Sequence, residues 1–364
     1  MKKYKILQVS PLIDEEDINY VTKSLKSCWV TEGRYSIKFI KRIKKLTKSK
    51  YAVLAPNGTL GLYLGILGLN LPKNSEIILP SFSFYASATS IIYANLKPVF
   101  VDVDQNTYCM DPTKIEKLIN KKTSAIMVVH TYGQSANINK IIKIAKKYKL
   151  KIIEDAAQVI NVYYKNKHCG TFGDVGVISF YGDKTITTGE GAVILIKNKK
   201  IFKKISLLRN QGRLKSGTFK HSNLGMNFRM TDLQCALGMG QLNKLKKITT
   251  DKLEKYEYYK KMLSNVGDLQ FGKVNNYSTF VPFRFFFLTS YKKKLMHYLE
   301  NNLIQTRSFF FPLHKQPQLK NYRNGGCKVT ESLYNKGICL PIHNKVSKKD
   351  INFICNKIKI FFKK

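Results

Sequence analysis

Acidic residues and paired cysteines are scarce in this sequence. Of its 364 residues, 23 are Asp or Glu and 63 are Lys or Arg, which gives a formal net charge of +40. The seven cysteines are an odd number and include no CxxC pair. This pattern argues against a disulfide scaffold and a zinc site and favours a reducing compartment. We therefore expect a cytoplasmic protein without metal ligands.

Long apolar runs are also absent. The first ten residues, MKKYKILQVS, contain no extended hydrophobic segment, so no signal peptide is expected. The most apolar later segment, TFVPFRFFFLTS, is too short to cross a bilayer and contains Arg284. We expect no membrane partner.

The positive charge first suggests a nucleic-acid partner. The lysines, however, are spread along the whole chain, and no compact basic block is flanked by stacking aromatic residues. No GxGxxG motif follows the first predicted strand and no GxxxxGK[ST] motif occurs, which disfavours dinucleotide and P-loop sites. We do not expect nucleic acid as the partner, although a non-catalytic basic binding protein stays open as a remote alternative.

Strands alternate with helices through the first part of the chain. Apolar runs such as YAVLA, EIILP, KPVFVDVD and KIIED are separated by helical segments, which predicts a mostly parallel sheet covered by helices. Ligands bind such sheets beyond the carboxyl ends of the strands. The segment DPTKIEKLI predicts a helix capped by Asp111, and residues 231–263 predict one long helix or two in tandem.

The segment DVGVISFYGDKTITTGEGAVIL predicts a strand, a polar glycine-rich loop and a second strand. Lys184 lies in this loop just beyond the first strand, where α/β sheets place chemistry. A lysine there can form a Schiff base if its surroundings keep it deprotonated. The alternative is one more solvated lysine in a lysine-rich protein.

Several other residues fit a pyridoxal phosphate site together with Lys184. Asp155 ends a predicted strand and could pair with the pyridine nitrogen, while Lys184 holds the cofactor as an imine. The phosphate needs a helix N-terminus and a hydroxyl group, and the ring needs a flat neighbour. Residues that could meet these needs are Gly58, Thr59, Ser179 and Phe84. Taken alone, the segment at residues 57–59 predicts a plain helix cap rather than a phosphate site.

The motifs as a set resemble a known family. They are NGT (57–59), PSFSF (80–84), PVFVDVD (98–104), EDAAQ (154–158), GTFGDVGVISFYGDKTITTGEGA (170–192), GMNFRMTD (225–232) and FFPLH (310–314). They resemble, over nearly the whole chain, the DegT/DnrJ/EryC1/StrS family of pyridoxal-phosphate-dependent nucleotide-sugar aminotransferases. The segment around Lys184 is most similar to the GDP-perosamine synthase branch. The chain departs from the family pattern at Arg34, where Pro is frequent, and at Ala192, where Gly is usual.

This resemblance implies an aspartate-aminotransferase-like (fold type I) α/β enzyme. The large domain, residues 1–245, would hold a mostly parallel seven-stranded sheet, and residues 246–364 would form a smaller C-terminal α+β domain. The implied reaction moves an amino group from an amino acid, with L-glutamate expected, to the 4-keto group of a nucleotide-linked 4-keto-6-deoxyhexose. GDP-4-keto-6-deoxymannose is the first expectation, for polysaccharide biosynthesis of the O-antigen type. A dTDP- or UDP-linked 4-keto-6-deoxyglucose (viosamine type) and a 3-keto sugar remain alternatives.

The resemblance also implies roles for single residues. Lys184 would hold the cofactor and move protons, and its presence favours transamination because the family's 3-dehydratase branch has His at this position. The implied cofactor contacts are Asp155 at the pyridine nitrogen, Gln158 near the ring hydroxyl, Phe84 on the ring, and Gly58, Thr59 and Ser179 at the phosphate. Asn227 would reach that phosphate from a partner subunit, which implies a homodimer with shared sites. Thr31, Arg229 and His314 would lie near the nucleotide sugar, although His314 could equally be a structural histidine in an aromatic turn.

Overall fold

The computed structural model describes residues 4–214 and 217–363. The helices are α1 (Glu15–Leu25), α2 (Arg34–Thr47), α3 (Gly58–Leu69), α4 (Tyr85–Tyr93), α5 (Ile138–Lys147), α6 (Lys199–Arg209), α7 (Asp232–Asn243), α8 (Leu245–Leu263), α9 (Lys292–Asn301), α10 (Lys328–Lys336) and α11 (Lys348–Lys363). The strands are β1 (Tyr51–Ala55), β2 (Glu76–Pro80), β3 (Lys97–Val101), β4 (Thr123–Val129), β5 (Lys151–Asp155), β6 (Tyr163–Tyr164), β7 (Lys167–His168), β8 (Val175–Ser179), β9 (Ala192–Ile196), β10 (Phe285–Leu288), β11 (Arg307–Ser308) and β12 (Gly337–Leu340).

A seven-stranded sheet forms the centre of the fold, in the order β1-β9-β8-β5-β4-β2-β3. Strands β8, β5, β4, β2 and β3 run parallel, whereas β9 is antiparallel to both β1 and β8. This confirms the predicted mostly parallel sheet. The parallel strands place their carboxyl ends along one edge, which is where such sheets bind ligands.

Hydrophobic cores on both faces explain why the strands are almost continuously apolar. In β1, for example, Val53 and Ala55 belong to one core while Ala52 and Leu54 belong to the other. Successive side chains of a strand point to opposite faces, so an uninterrupted apolar run serves both cores. The sheet is therefore held rigidly, and the loops at its carboxyl edge are positioned with it.

The C-terminal part forms a smaller antiparallel sheet in the order β10-β12-β11. A third core, rich in buried aromatic residues, includes Phe285, Phe286 and Phe287 of β10. The predicted long helix is two helices in tandem, α7 and α8, which meet at Lys244. The domain boundary at residues 245 and 246 stays a prediction.

The segment after Asp111 differs from the predicted helix. It forms two short 3-10 helices, Pro112–Lys114 and Glu116–Leu118, although Asp111 does cap the first by accepting from the Thr113 N–H. Its buried residues, Ile115 and Leu118, are three positions apart, which suits the three residues per turn of a 3-10 helix. Among the helices of the described ranges, none is both long and apolar enough to cross a membrane.

Candidate active site

The carboxyl edge of the central sheet brings the predicted residues of distant segments together. Asp155 is the last residue of β5 and Ser179 the last of β8, while Asp155 pairs with Val177 in register. Both side chains are buried. The edge therefore holds a carboxylate and a hydroxyl group on neighbouring strands, as the sequence predicted.

Lys184 lies in a tight turn beyond β8, where its backbone N–H donates to the Tyr181 carbonyl at 2.9 Å. Its Nζ lies 4.7 Å from the centre of the Phe283 ring and 3.5 Å from Asp183 Oδ1. Burial lowers the pKa of Lys184, and the carboxylates of Asp183 and Asp155 only partly oppose this effect. The surroundings therefore favour the neutral, nucleophilic amine that imine formation needs.

Two hydrogen bonds hold the Asp155 carboxylate. The Ser87 hydroxyl of α4 donates to Asp155 Oδ2 at 2.6 Å, and the Ala157 N–H donates to Oδ1 at 3.2 Å. The adjacent Glu154 points to the opposite face, where it accepts from the backbone N–H groups of residues 170, 172 and 173. Of the two acids that end β5, only Asp155 therefore serves the candidate site.

An anion cradle lies where α3 begins. Asn57 caps this helix by accepting from the Leu60 N–H at 2.9 Å, and the N–H groups of Gly58 and Thr59 have no acceptor within a helix. A Cβ added to Gly58 would lie 3.1 Å from Ser179 Cβ and 3.2 Å from its Oγ. The glycine therefore lets the Ser179 hydroxyl stand directly beside the helix start, as a phosphate group requires.

Aromatic side chains surround the position of the predicted ring contact. Phe84 precedes α4 and is 62% exposed, with its ring 6.4 Å from that of Phe310. Gln158 is buried, and its Oε1 accepts from the Tyr132 N–H at 2.8 Å. The Tyr132 ring stacks on Phe310 at 5.5 Å. Phe84 thus offers an open aromatic face, whereas Gln158 is already held by the backbone.

Three predicted residues lie in a different cavity. Thr31, Asn227 and Arg229 line a cleft of about 1230 Å³, whereas Lys184 lines another cavity. Arg229 donates to Asn210 Oδ1 at 2.6 Å, and Asn227 Oδ1 accepts from the Arg229 N–H at 3.3 Å. Within one chain, these residues are therefore not placed beside Lys184.

His314 is held by protein groups on both sides of its ring. Its Nδ1 lies 2.7 Å from Ser81 Oγ, and its Nε2 lies 3.0 Å from Glu331 Oε1. The side chain thus links the end of β2 to α10. Its contact with a sugar stays a prediction.

The sequence reasoning missed Arg284, Arg307 and Lys252, which lie near Lys184 and its neighbour Asp183. Asp183 pairs with Arg284 at 2.7 Å and lies 3.7 Å from Arg307. Lys252 of α8 is buried beside them, and burial lowers its pKa to about 7. No local motif marks these residues, because Arg284 sits in an apolar run and Lys252 on a helix with many lysines. Ser87 could have been found from the sequence, because it lies one helical turn after Phe84, which was already a predicted cofactor contact.

Lys184, Asp155 and the Gly58–Ser179 cradle fit pyridoxal phosphate at its carbonyl, its ring nitrogen and its phosphate, respectively. Together with the fold they define an enzyme of the pyridoxal-phosphate-dependent aminotransferase class. Residues 11–359 match the DegT/DnrJ/EryC1/StrS aminotransferase family, and the chain belongs to that family.

Relatives and solved structures agree with this assignment. The chain is 32% identical over 355 residues to the GDP-perosamine synthase of Escherichia coli O157:H7, covering 97% of each chain. It is 32% identical to the GDP-perosamine synthase of Vibrio cholerae, covering 97% of this chain and 98% of that one. Helicobacter pylori PseC, an aminotransferase involved in the biosynthesis of pseudoaminic acid, superposes with a TM-score of 0.94 at 25% identity over the full length of both chains.

Proposed function

We propose that this enzyme transfers the amino group of an amino acid, L-glutamate in the first instance, to the 4-keto carbon of a nucleotide-linked 4-keto-6-deoxyhexose. The observation that carries the proposal is the largely enclosed amine of Lys184, whose side chain is 17% exposed and whose pKa burial lowers, just beyond the sheet edge at which Asp155 lies. The two GDP-perosamine synthases at 32% identity favour GDP-4-keto-6-deoxymannose as the acceptor. The product would be a 4-amino-4,6-dideoxy sugar nucleotide for polysaccharide biosynthesis.

The bound cofactor supplies an electron sink that stabilises negative charge at the carbon losing a proton. Lys184 Nζ holds the cofactor and, once released, carries the proton between carbons as a general base and acid. Its lowered pKa suits this work, because it increases the fraction of neutral amine that can accept the proton. Asp155, oriented by Ser87, pairs with the ring nitrogen, and the Gly58–Ser179 cradle holds the phosphate.

Two features of the loop after α6 support a homodimer with shared sites as part of this proposal. Phe219 and Leu224 of this loop are 93% and 99% exposed, which is typical of a surface that another chain covers. Asn227, at the end of the loop, lines a cleft away from Lys184 of its own chain. We therefore place Asn227 at the cofactor phosphate of the partner subunit, in a dimer that works in the cytoplasm.

The cleft lined by Thr31, Asn227 and Arg229 is the proposed site of the nucleotide sugar. It also contains Arg209 and Arg213, so that its cationic side chains complement a diphosphate. A dTDP- or UDP-linked 4-keto-6-deoxyglucose and a 3-keto sugar would meet the same cations. His314 would approach the sugar from the C-terminal part.

One assay tests the proposal directly. The enzyme with added pyridoxal phosphate is incubated with L-glutamate and a panel of GDP-, dTDP- and UDP-linked 3- and 4-keto-6-deoxy sugars, and products are analysed by mass spectrometry. We expect the mass change of amination with the GDP-linked 4-keto sugar and none with Lys184→Ala. A protein that stays colourless with pyridoxal phosphate, yet binds DNA with a steep salt dependence, would contradict the proposal.

A further inference from the structure

One aromatic ring beside the reactive lysine is approached by three cations. The centre of the Phe283 ring lies 4.7 Å from Lys184 Nζ, 4.7 Å from Arg284 Cζ and 5.9 Å from Lys252 Nζ. Within about 6 Å of its centre, the electron-rich face of an aromatic ring attracts a cation. The three positive charges repel one another, and the Phe283 ring is placed to offset part of that repulsion.

The surroundings of the ring strengthen this attraction. Phe283 is 5% exposed and lies just before β10, the first strand of the C-terminal sheet. The ring and Lys184 border a cavity of about 30 Å³, which has room for roughly two water molecules. With so little water to compete for the amine, the ring attracts its charged form more strongly than it would at an exposed site.

The carboxylate next to Lys184 is shared with another cation. Asp183 Oδ2 accepts from Arg284 Nη2 at 2.7 Å, whereas Oδ1 lies 3.5 Å from Lys184 Nζ, which is longer than the usual hydrogen bond. The charged groups that face Lys184 are Asp183 of its own loop, Asp155 at the end of β5, Arg284 before β10 and Lys252 of α8. Because two cations oppose two carboxylates, the ring supplies a further attraction for the ammonium form.

The reaction requires Lys184 in both of its protonation states. The side chain accepts a proton as an amine and returns it as an ammonium group. Burial lowers the pKa of Lys184 and so disfavours the ammonium form. We propose that Phe283 is a positioning residue whose ring holds the ammonium form of Lys184 between the two proton transfers. The inference rests on the proposed function for these transfers, whereas the contact between ring and amine does not depend on the sugar.

Fluorinated phenylalanines can test the ring with little change in its shape. Each fluorine atom withdraws electrons from the ring face, so Phe283 with one, two or three fluorine atoms gives a graded loss of attraction for a cation. The readout is the pKa of Lys184 in the full-length apoenzyme. It is measured by competitive acetylation across pH, with the peptide that contains Lys184 quantified by mass spectrometry. This measurement uses neither an amino donor nor a sugar.

We expect the acid dissociation constant of Lys184 to rise with each fluorine atom, and by about fivefold in Phe283→Leu, which has no ring. The sign follows because the ring attracts only the charged form, so its loss lowers the pKa of Lys184 further. In turnover, the same series should lower kcat with little change in KM, since the ring contacts the lysine and not a substrate. Phe283→Tyr keeps the ring face and should restore both values.

Phe285 is the matched control, because it is buried in β10 and its ring stacks on Tyr259 at 4.6 Å. Fluorination there should leave the pKa of Lys184 unchanged. The fluorinated series keeps the size of the ring, so it decides the question even if Phe283→Leu does not fold.

Two outcomes separate this inference from the proposed function. An unchanged pKa of Lys184 across the Phe283 series, in an enzyme that still aminates a keto sugar, would overturn the inference and leave the proposed function standing. A graded pKa in an enzyme that aminates no keto sugar would overturn the proposed function, while the hold of the ring on the ammonium form would stand.

Discussion

Gly58 and Ser179 stand so close that a single methyl group on Gly58 would lie 3.1 Å from Ser179 Cβ and 3.2 Å from Ser179 Oγ. One residue begins α3 and the other ends β8, so two distant segments meet at this point. Such a contact would be tighter than ordinary van der Waals packing, so Ser179 would have to move by a few tenths of an ångström if a Cβ were added to Gly58. The arrangement suits a phosphate group, which needs backbone N–H donors and a hydroxyl group side by side.

We expect Gly58→Ala to weaken pyridoxal phosphate binding. The new methyl group would displace the Ser179 hydroxyl, and loss of one hydrogen bond to a charged phosphate corresponds to about a tenfold higher dissociation constant. Titration of the apoenzyme with pyridoxal phosphate, followed by absorbance, measures this dissociation constant. The control is Gly65→Ala in the same helix, where an added Cβ would lie 3.4 Å from Val175, an ordinary contact. Equal affinities for both variants would contradict the assignment.

Ser87 is expected to act through Asp155. Its hydroxyl donates to Asp155 Oδ2 at 2.6 Å in a buried setting, so Ser87→Ala leaves a carboxylate oxygen without its donor. We predict a kcat about tenfold lower, and a changed absorbance spectrum of the bound cofactor because the partner of the ring nitrogen has moved. Ser90→Ala is the control, since Ser90 is buried in the same helix and its one hydroxyl hydrogen bond to a described residue goes to the Ser87 carbonyl, at 3.1 Å. If the cofactor spectrum of Ser87→Ala were unaltered, Ser87 would contribute to packing and would not position Asp155.

The fold could be predicted because its signals are local. Alternating apolar runs, helix caps and glycines lie within a few residues of one another, and they indicated the parallel sheet and the cap at Asn57. The segment after Asp111 was predicted wrongly as a longer helix, because a cap and a proline mark where a helix begins but not how far it continues. Ile115 and Leu118 of this segment pack into a hydrophobic core, and such tertiary contacts cannot be read from the local sequence.

The site was predictable only where its residues lie in sequence motifs. Asp155 ends β5 and Lys184 follows the end of β8, the next strand of the central sheet along the chain, so the sequence could place them at one edge. Arg284 and Arg307 come from strands about a hundred residues further along and lie in segments that resemble apolar core. Only three-dimensional packing brings them to Asp183, and no periodicity in the sequence records that contact.

Lys252 should destabilise the native protein at neutral and lower pH. Its pKa is lowered to about 7 by burial, while an unfolded lysine titrates near 10.4. Between these values the unfolded state binds one more proton than the native state, so the free energy of unfolding rises with pH by up to about 1.4 kcal/mol per pH unit from this group. Below pH 7 the charged amine is buried among Arg284, Lys184, Asp183 and Asp251, and the full penalty applies.

Lys252→Met is therefore expected to melt at a higher temperature than the wild type near pH 7, and this advantage should shrink as the pH approaches 10. Melting temperatures of both proteins, measured by calorimetry across this range, give the difference directly. Lys255→Met is the control and should melt at a lower temperature than the wild type. Lys255 donates to Asp251 at 2.7 Å and to two backbone carbonyls, and the variant loses these hydrogen bonds. A wild type that is more stable than Lys252→Met at pH 7 would refute the prediction.

Mixed dimers can decide whether Asn227 serves the partner's site. If it does, a dimer of one Lys184→Ala protomer and one Asn227→Ala protomer contains one site in which Lys184 and the partner subunit's Asn227 are both intact, and its other site lacks both. Such a dimer should show about half of the wild-type activity, although each parent homodimer is impaired. The expectation follows from Asn227 and Lys184 of one chain lining separate cavities.

The activity is measured at a pyridoxal phosphate concentration that saturates the wild type but not the Asn227→Ala homodimer. Dimers carrying two different affinity tags are purified through both, so that parent homodimers are removed. If Asn227 instead served its own chain, the only site with Lys184 would lack Asn227, and the mixed dimer would reach at most half the activity of the Asn227→Ala homodimer. A mixed dimer of one wild-type and one Lys184→Ala protomer retains one intact site under either arrangement. Its activity therefore gives the measured value that corresponds to one working site.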